Sequence, residues 1–298
     1  MKKMKELDKL NVGRVIYHVS LKEYTTYRVG GIANALVIVD DKESLKKLIC
    51  YLEEHQIKWK IIGNGSNLIF KDGVYDGVLI HLANLNDMKI EDTQIYVESG
   101  YSLPKLSIKA AKASLTGLEF AAGIPGTVGG ALFMNAGAYK SDMGYIVKEV
   151  TILDENLKEK VLTNEECDFH YRTSYFKKHP KCVCLNAKLQ LKRGVKEAIL
   201  AVMEDRKKRR IESQPLEYPS AGSVFRNPEG DYAGRLIESL GYKGKLFGGA
   251  MVSQKHANFI INKDHATASD VIHLIRDIQK NVKKEYGIDL KLEQEIVE

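Results

Sequence analysis

The residues best suited to chemistry in this sequence lie in two glycine-rich segments. The first, residues 63–67, reads Gly-Asn-Gly-Ser-Asn and directly follows an apolar run at 59–62. Glycines in such a turn permit positive φ and let backbone N–H groups approach a phosphate closely. Leu68 occupies the third glycine position of the Rossmann fingerprint, so that motif does not apply. Taken alone, the segment fits a phosphate-binding loop or an ordinary tight turn equally well.

The second segment is the densest glycine stretch of the chain. Residues 123–131 read GIPGTVGGA, with Thr127 as the only polar side chain, and Asn-Ala-Gly-Ala-Tyr occupies 135–139. A P-loop for nucleoside triphosphates is excluded because no G-K-[ST] sequence is present. A loop of this composition can wrap a pyrophosphate through its backbone. A glycine-rich crossover packed against a sheet is the alternative, and ligand binding is the favoured interpretation.

Composition and charge narrow the possible functions. The 298-residue chain is 44% apolar and 28% charged, which is typical of a globular protein of two or three domains. A net charge of +6 is too small to indicate nucleic acid, but it suits an acidic, phosphate-bearing ligand. The four cysteines form no C-x-x-C pair, and no H-E-x-x-H motif is present, so we expect no metal site. Cys182 and Cys184 are predicted to be buried free thiols.

The N-terminal region predicts alternating strands and helices. Strands are expected at 35–39, 59–62 and 78–81, with a helix after Asp40 and Asp41, whose side chains could cap it. No stretch of about 18 apolar residues occurs, and no apolar segment comes after the lysine-rich N-terminus. We therefore predict a cytoplasmic protein without a membrane segment.

Further elements must position the second glycine segment and the C-terminal half of the chain. Strands are predicted at 95–98, 147–153, 182–191, 258–262 and 289–297. Helices are predicted at 102–115 with Ser102 as N-cap, at 195–213, at 232–240 and at 268–286. The helix at 195–213 is expected to carry Ile199, Val202 and Met203 on one face, and the last helix an apolar stripe from Val271 to Val282.

Several ordered motifs together resemble a known family. Tyr24-Thr25-Thr26-Tyr27-Arg28-Val29-Gly30-Gly31, the two glycine segments, Tyr171-Arg172, and the run from Pro219 to Pro228 resemble the UDP-N-acetylenolpyruvoylglucosamine (MurB) reductases in sequence and spacing. The likeness covers nearly the whole chain from about residue 20. No inserted tyrosine-bearing subdomain is found between Ser223 and the C-terminal helix, which indicates the shorter subtype of the family.

The resemblance implies an α+β fold. A two-part FAD-binding domain of the vanillyl-alcohol-oxidase type, expected at 1–88 and 89–195, would precede a C-terminal α+β substrate-binding domain at 196–298. It implies FAD and NADPH as cofactors. The implied flavin-binding residues are Arg28, Gly63, Asn64, Gly65, Ser66, Asn67, Gly123, Ile124, Pro125, Gly126, Thr127, Gly129, Gly130, Asn135, Ala136 and Gly137.

The implied reaction is the reduction of UDP-N-acetylglucosamine enolpyruvate to UDP-N-acetylmuramate for peptidoglycan synthesis. Hydride addition to the methylene carbon leaves negative charge on the adjacent carbon and its carboxylate, so the site needs a cation and a proton donor. By resemblance, Arg172 steadies the enolate and Ser223 donates the proton. Tyr171, Arg226 and Asn227 are implied substrate contacts. Beyond substrate and NADPH, no protein partner and no nucleic acid are expected.

A third implied catalytic residue is a glutamate near the C-terminus. Counting without gaps from Ser223 gives Glu293, which we favour slightly, whereas the pattern L-E-x-E gives Glu295. The two glutamates lie two apart on a predicted strand and would share a face, so periodicity does not separate them.

Two rival functions are also compatible with parts of the sequence. One is another flavin enzyme of the same fold. Residues 63–70 contain no histidine, which favours non-covalent FAD and the reductase. The other is a non-catalytic nucleotide-sugar or nucleic-acid binding protein, which leaves the two glycine segments unexplained and predicts a colourless protein.

Overall fold

The computed structural model describes residues 4–298, without the side chain of residue 5. The strands are β1 (Gly13–Ser20), β2 (Ile32–Val39), β3 (Trp59–Ile62), β4 (Leu68–Phe70), β5 (Val74–His81), β6 (Met88–Glu91), β7 (Gln94–Glu98), β8 (Leu115–Thr116), β9 (Gly137–Ala138), β10 (Ser141–Asp142), β11 (Val147–Leu153), β12 (Glu159–Thr163), β13 (Val183–Gln190), β14 (Lys192–Arg193), β15 (Leu246–Phe247), β16 (Ala250–Val252), β17 (Ile260–Asn262) and β18 (Glu295–Val297). The helices are α1 (Lys42–Glu54), α2 (Leu103–Lys112), α3 (Val128–Met134), α4 (Tyr175–Lys178), α5 (Lys196–Ser213), α6 (Ala233–Ser239) and α7 (Ala268–Tyr286).

The chain divides into two compact units. Unit 1 holds the residues up to Tyr17 together with Asn34–Asn64 and Gly77–Lys207. Unit 2 holds His18–Ala33, Gly65–Asp76 and Lys208–Glu298. These two units are defined by contacts within the chain and are not the three domains expected from the sequence at 1–88, 89–195 and 196–298. The three-domain division stays a prediction.

A five-stranded sheet in the order β12-β11-β13-β7-β6 forms the centre of the larger core of unit 1. Helix α2 packs on it through buried residues that include Leu103 and Leu106. The helix begins where the sequence predicts, because the Ser102 hydroxyl accepts a hydrogen bond from the Lys105 N–H. It ends at Lys112, three residues before the predicted end, and Ser114 has a positive φ of 59° that ends the helical path.

A second core of unit 1 surrounds α1. The apolar stripe Leu45, Leu48, Ile49 and Leu52 is fully buried against β2 and the end of β5. The Asp41 carboxylate caps this helix by accepting from the Ser44 N–H at 2.8 Å, as its position in the sequence predicts. Strands β3 and β5 run parallel, with Ile62 opposite His81. The glycine segment at 63–67 therefore starts at the carboxyl end of two adjacent strands.

Helix α7 organises the core of unit 2. Thr267 and Asp270 form a capping box at its start, and Gly287 closes it with a φ of 71°. Its predicted stripe from Val271 to Val282 is buried against α6 and the three-stranded sheet β15-β16-β17. Each such side chain contributes about 1.5–3 kcal/mol by leaving water, so this stripe provides much of the stability of the unit.

Two expectations about element faces were wrong. On α5, Ile199 and Met203 are buried, but Val202 is 41% exposed, because its position on the helix turns it away from the core. The predicted strand at 289–297 is regular only from Glu295 to Val297, where β18 pairs in parallel with β4. Before Glu295, backbone hydrogen bonds go to loops instead, so Glu293 and Glu295 do not share one strand.

Two other predictions concern thiols and membrane segments. Cys182 and Cys184 are free and buried, as predicted. Cys167 is buried as well, and burial raises its pKa to about 12. Among residues 4–298, no helix combines the length and apolar character that crossing a bilayer requires.

Candidate active site

Gly63, the first residue of the first glycine segment, allows a close approach between two loops of unit 1. A Cβ on this residue would lie 2.6 Å from the Oγ1 atom of Thr127, in the second segment. Any larger residue would therefore push the two segments apart. The sequence predicted a ligand loop at each segment, and unit 1 places the start of one against the middle of the other.

The second segment is fixed by its own backbone bonds. The Thr127 hydroxyl accepts from the Gly130 N–H at 3.3 Å, and the Gly129 N–H donates to the Ser99 carbonyl at 2.8 Å. A Cβ on Gly129 would lie 2.9 Å from the Cβ of Ser99. The loop is thus held tightly against the end of β7 by contacts that only glycine permits.

Two buried polar atoms near these loops are unsatisfied. Within residues 4–298, neither the Nδ1 atom of His81 nor the Oγ atom of Ser99 has a hydrogen-bond partner. His81 ends β5, in register with the residue before Gly63, and Ser99 contacts Gly129. Buried polar groups are nearly always paired in native proteins. These two atoms therefore fit a ligand with polar groups at the glycine loops.

Arg172 lies in a tight turn of unit 1 with an uncommon backbone conformation. Its φ is 56°, and reciprocal backbone bonds of 3.1 Å between His170 and Thr173 close the turn. Ser174 anchors the end of the turn, because its buried hydroxyl donates to the Phe133 carbonyl at 2.7 Å. Strained backbone of this kind persists only where the surroundings enforce it, and it is common at functional sites.

Asn135 connects the second glycine segment to the Arg172 turn. Its side-chain amide donates to the His170 carbonyl at 3.0 Å and its oxygen accepts from the Gly144 N–H at 2.9 Å. The residue is 1% exposed and itself adopts a left-handed conformation with a φ of 42°. The structure thus gives this predicted flavin-binding residue a structural task, which is to hold the turn that carries Arg172.

The Arg172 guanidinium is held on two sides. One terminal nitrogen donates to the Gly137 carbonyl at 2.8 Å, and the guanidinium carbon lies 5.1 Å from the ring centre of Tyr171. Tyr171 is half exposed. The planar guanidinium presents five N–H donors in a fixed fork, a geometry that matches a carboxylate.

In unit 2, the remainder of the first glycine segment packs against the Tyr24–Gly31 motif. Gly65 has a φ of 60°, and a Cβ there would lie 2.1 Å from the Tyr24 carbonyl oxygen. Arg28 is exposed and has a φ of 55°. Its backbone carbonyl accepts from the Asn262 side chain at 3.3 Å. The motif and the glycine segment therefore form one structural element within this unit.

Ser223 lies in a turn of unit 2 that is fixed on both sides. Before it, Gly222 has a φ of 73°. After it, the Val224 N–H donates to the Asn258 carbonyl at 2.9 Å, and the Asn258 side chain bonds both backbone groups of Phe225, at 3.0 and 2.8 Å. The buried Asn258 thus fixes the chain directly after Ser223, which is itself half buried.

The two candidate glutamates are held to the glycine segment through Asn67. The Asn67 side chain donates to the Glu293 carbonyl at 3.0 Å, and the Glu295 N–H donates to the Asn67 carbonyl at 2.9 Å. Glu295 also begins β18, opposite Leu68 of β4. Its carboxylate helps to raise the pKa of the buried Tyr75 hydroxyl to about 12, although burial has the larger effect.

Comparison with known families divides the chain into two matched regions. Residues 33–158 match the FAD binding domain, and residues 214–297 match the C-terminal domain of UDP-N-acetylenolpyruvoylglucosamine reductase. The first region contains both glycine segments, and the second contains Ser223 and both glutamates.

Whole-chain relatives agree with these matches. The UDP-N-acetylenolpyruvoylglucosamine reductase of Anoxybacillus flavithermus is 47% identical over 299 aligned residues, which cover 100% of this chain and 99% of the relative. The chain belongs to the UDP-N-acetylenolpyruvoylglucosamine reductase family. A crystal structure of the MurB reductase from Thermus caldophilus has a TM-score of 0.81 and 36% identity, and the alignment covers 96% of this chain and 98% of that one. The family resemblance predicted from the motifs is confirmed.

Another solved structure supports the predicted fold class. The glucose dehydrogenase Phl p 4.0202 has a TM-score of 0.52 at 13% identity, covering 76% of this chain and 52% of that one. At this identity the likeness shows the fold alone. Together with the matched domains, it confirms an α+β fold with a FAD-binding domain of the vanillyl-alcohol-oxidase type. FAD is the cofactor of this reductase, and the unsatisfied atoms of His81 and Ser99 fit its polar groups.

Some residues of this reductase were absent from the sequence predictions. His81 and Ser99 gave no signal, since each is a lone polar residue at a strand end. Asn227 was predicted to bind substrate, and its side-chain oxygen accepts from the Ala233 N–H at 3.1 Å, at the start of α6. Such a bond adds a capping role to that residue.

Proposed function

We propose that this chain reduces UDP-N-acetylglucosamine enolpyruvate to UDP-N-acetylmuramate with NADPH, in the synthesis of peptidoglycan precursors. The observation that carries the proposal is the 47% identity to a named reductase over essentially the full length of both chains. Bound FAD would supply the two-electron relay between NADPH and the enol ether. The cytoplasmic location, the absence of an obligatory protein partner and the division at 1–88, 89–195 and 196–298 remain predictions.

The glycine segments are proposed to hold the cofactor. By resemblance to the family, the backbone of residues 63–67 and 123–130 is proposed to approach its phosphates, since glycine permits close contact. The N–H groups of Gly129 and Gly130 are not among the proposed donors, because they already bond the Ser99 carbonyl and the Thr127 hydroxyl. His81 and Ser99 would complete this set with their unpaired buried atoms. Arg28 and the run from Asn135 to Gly137 are proposed to support the same site.

Arg172 is proposed to bind the carboxylate of the enolpyruvyl group. Hydride addition to the methylene carbon places negative charge on the adjacent carbon and the carboxylate, so a fixed cation there stabilises the transition state. The bond from Arg172 to the Gly137 carbonyl fixes the guanidinium before substrate arrives. Tyr171, Arg226 and Asn227 are proposed as additional substrate contacts.

Ser223 is proposed to donate the proton that the carbanionic carbon receives. A serine hydroxyl is a weak acid in water, so its contribution must come from a fixed position in a site that excludes solvent. The bonds that fix Val224 and Phe225 support such positioning. Replacing Ser223 with alanine removes the proton donor but no group that NADPH needs to reduce the flavin.

Glu295 is proposed as the third catalytic residue in preference to Glu293. It lies in a paired strand directly beside the glycine segment, whereas Glu293 precedes the strand. Catalytic groups on regular elements are positioned more accurately than groups on irregular ones. Its proposed task is to orient or reprotonate the Ser223 hydroxyl.

Anaerobic half-reactions test these roles. The Ser223→Ala variant should be reduced by NADPH at the wild-type rate and reoxidised by substrate about 10²- to 10⁴-fold more slowly, the usual effect of losing a general acid. Reoxidation at the wild-type rate would remove Ser223 from the reaction. Glu295→Gln should slow the same step, whereas Glu293→Gln should leave it nearly unchanged. The reverse result would assign the role to Glu293.

A further inference from the structure

Gln294 lies between the two candidate glutamates, and its side chain points into the core of unit 2. It is 3% exposed. Its amide nitrogen donates to two backbone carbonyls, those of Ala221 at 3.0 Å and of Gly222 at 3.1 Å. These are the two peptide groups directly before Ser223. A single buried side chain therefore uses both of its N–H donors on the chain that leads into the serine.

The backbone beside Gln294 fixes the other side of the same turn. The Glu293 N–H donates to the Val224 carbonyl at 2.9 Å, and an isolated bridge joins Phe225 to Leu292. Ser223 is thus bracketed by bonds to one short segment of the chain, residues 292–294. Gly222, with its φ of 73°, would otherwise leave the turn a wide choice of conformations.

Gln294 also lies beside the buried Tyr27. Tyr27 is fully buried, and burial raises the pKa of its hydroxyl, an effect that the neighbouring Gln294 partly opposes. Among residues 4–298, neither the Tyr27 hydroxyl nor the Gln294 side-chain oxygen has a hydrogen-bond partner within normal distance. The amide is thus oriented by its two donor bonds, and leaving its oxygen unpaired lowers stability.

Gln294 is a polar side chain in an apolar core, with Tyr27, Val224 and Phe225 among the members of that core. A leucine of similar volume would fill this space, but it would leave the Ala221 and Gly222 carbonyls without their side-chain donor. An acceptor left unpaired on burial lowers stability. The two bonds therefore fix the backbone directly before Ser223, and their loss is expected to release it.

We propose that Gln294 is a positioning residue, which orients the Ser223 hydroxyl toward substrate by holding the carbonyls of Ala221 and Gly222. The inference rests on the proposed role of Ser223 as proton donor. It adds a residue that touches neither substrate nor cofactor but sets the rate of proton donation. It also explains why the segment with the candidate glutamates is attached to the serine turn rather than paired as one long strand.

The test compares Gln294→Leu with a matched control, Gln279→Leu. Gln279 also donates from its side-chain amide to a backbone carbonyl in unit 2, that of Leu290 at 2.9 Å. Each variant is made in the wild-type and in the Ser223→Ala holoenzyme. Stopped-flow absorbance then measures flavin reduction by NADPH and reoxidation by UDP-N-acetylglucosamine enolpyruvate separately, and thermal unfolding reports stability.

The expected result is selective. Gln294→Leu should slow reoxidation by about 10- to 100-fold while reduction changes by less than about twofold, because only the proton donor loses its position. In the Ser223→Ala background, the same substitution should slow reoxidation by no more than about twofold, since residues that act through one another are not additive. Gln279→Leu should leave both half-reactions unchanged.

Other results would overturn the inference. Equal slowing of both half-reactions, or a slowing that persists undiminished without Ser223, would show a general structural role. A Ser223→Ala enzyme with wild-type reoxidation would instead reject the proposed role of Ser223, which is a separate failure.

Gln294→Glu provides a second variant if the leucine variant does not fold. It keeps the size of the side chain, but its ionised carboxylate has no N–H donor. Reoxidation should be slow at pH 8 and recover as pH falls toward about 5, where the carboxyl group gains a proton to donate. A pH profile parallel to that of the wild type would contradict the proposal.

Discussion

Three residues that the sequence assigned to the site share an uncommon backbone conformation. Arg28, Asn135 and Arg172 have φ values of 55°, 42° and 56°. Left-handed backbone costs a non-glycine residue roughly 1–2 kcal/mol, so each needs surrounding contacts to hold it. For Arg172 those contacts are the closed turn from His170 to Thr173 and the Asn135 amide. Left-handed residues also occur away from the site, as at Ser114 and Lys140, but at Arg172 the conformation sets the direction of a side chain assigned to the site.

The guanidinium of Arg172 is expected to be sensitive to replacement by another cation. Arg172→Lys keeps the charge but loses the planar pair of donors, and one nitrogen of the arginine is already committed to Gly137. We expect kcat/KM for the enol ether to fall by about 10- to 100-fold, equivalent to about 1–3 kcal/mol, with normal reduction by NADPH. Steady-state kinetics and the anaerobic reduction rate measure both effects.

Arg193→Lys is the matched control for this change. Arg193 forms an exposed ion pair with Asp92 at 2.7 Å, and such pairs contribute little. Arg193→Lys should therefore have the wild-type kcat/KM and the wild-type rate of reduction by NADPH. A kcat/KM for Arg172→Lys equal to that of the control would contradict the proposed binding of the carboxylate.

Some residues of the site could be predicted from the sequence and others could not. The motif Tyr171-Arg172 identified the arginine, but nothing in the sequence predicted that Asn135 would hold its turn. The role proposed for Gln294 was not predictable either, because it depends on which backbone carbonyls accept hydrogen bonds from its amide in the folded chain. Roles that arise from contacts between residues distant in sequence cannot be derived from spacing alone.

At the scale of elements, the sequence predicted those with strong local signals best. Strand β3 and helix α7 have the predicted bounds, since the apolar run and the capped stripe are complete within each segment. The predicted strand at 289–297 was wrong over most of its length. Its polarity alternates like a strand, but its first part bonds to loops around Arg226 and Val224. Alternating polarity predicts that a segment is extended, but it does not predict which segment it will pair with.

The close contact between the two glycine segments can be tested by adding one methyl group, through the substitution Gly63→Ala. Gly63→Ala would place a Cβ 2.6 Å from the Thr127 hydroxyl oxygen, which is too close without displacement of the loop. We expect the purified variant to lose most of its bound flavin, measured by the ratio of absorbance at the flavin band to that at the protein band. Gly234→Ala is the control, since its nearest neighbour would be at an ordinary 3.4 Å. Full flavin content in Gly63→Ala would count against the proposed loop.

The hairpin between β9 and β10 gives a prediction about stability. Tyr139 and Lys140 form its turn with φ values of 55° and 59°, a conformation that favours glycine. The Tyr139 hydroxyl is fixed to the Arg206 carbonyl at 3.1 Å, whereas Lys140 is exposed. Lys140→Gly should therefore raise the free energy of unfolding by about 0.5–1 kcal/mol, as relief of strain exceeds the entropy lost.

Lys158→Gly is the control for that prediction. Lys158 lies in an exposed turn between β11 and β12 without a positive φ, so its replacement by glycine should lower stability. Urea unfolding of both variants measures the difference. Equal destabilisation by the two substitutions would show that the turn at Lys140 stores no strain.

At the scale of the whole molecule, family and fold class were predictable because ordered motifs extend over nearly the full chain. Two compact units, each built from separate stretches of sequence, were not predictable. Gly63 and Gly65 belong to different units, although they lie two residues apart. Long-range packing decides such a division, and local pattern carries little information about it. The net charge of +6 agrees with a phosphate-rich substrate and cofactor but does not identify either.

The most direct test of the proposed reaction monitors the flavin through one turnover without oxygen. The oxidised holoenzyme is mixed with one equivalent of NADPH and then with UDP-N-acetylglucosamine enolpyruvate. We expect NADPH to bleach the flavin absorbance, the enol ether to restore it, and one equivalent of UDP-N-acetylmuramate to form. A flavin that NADPH bleaches but the enol ether leaves colourless would contradict the proposed reaction.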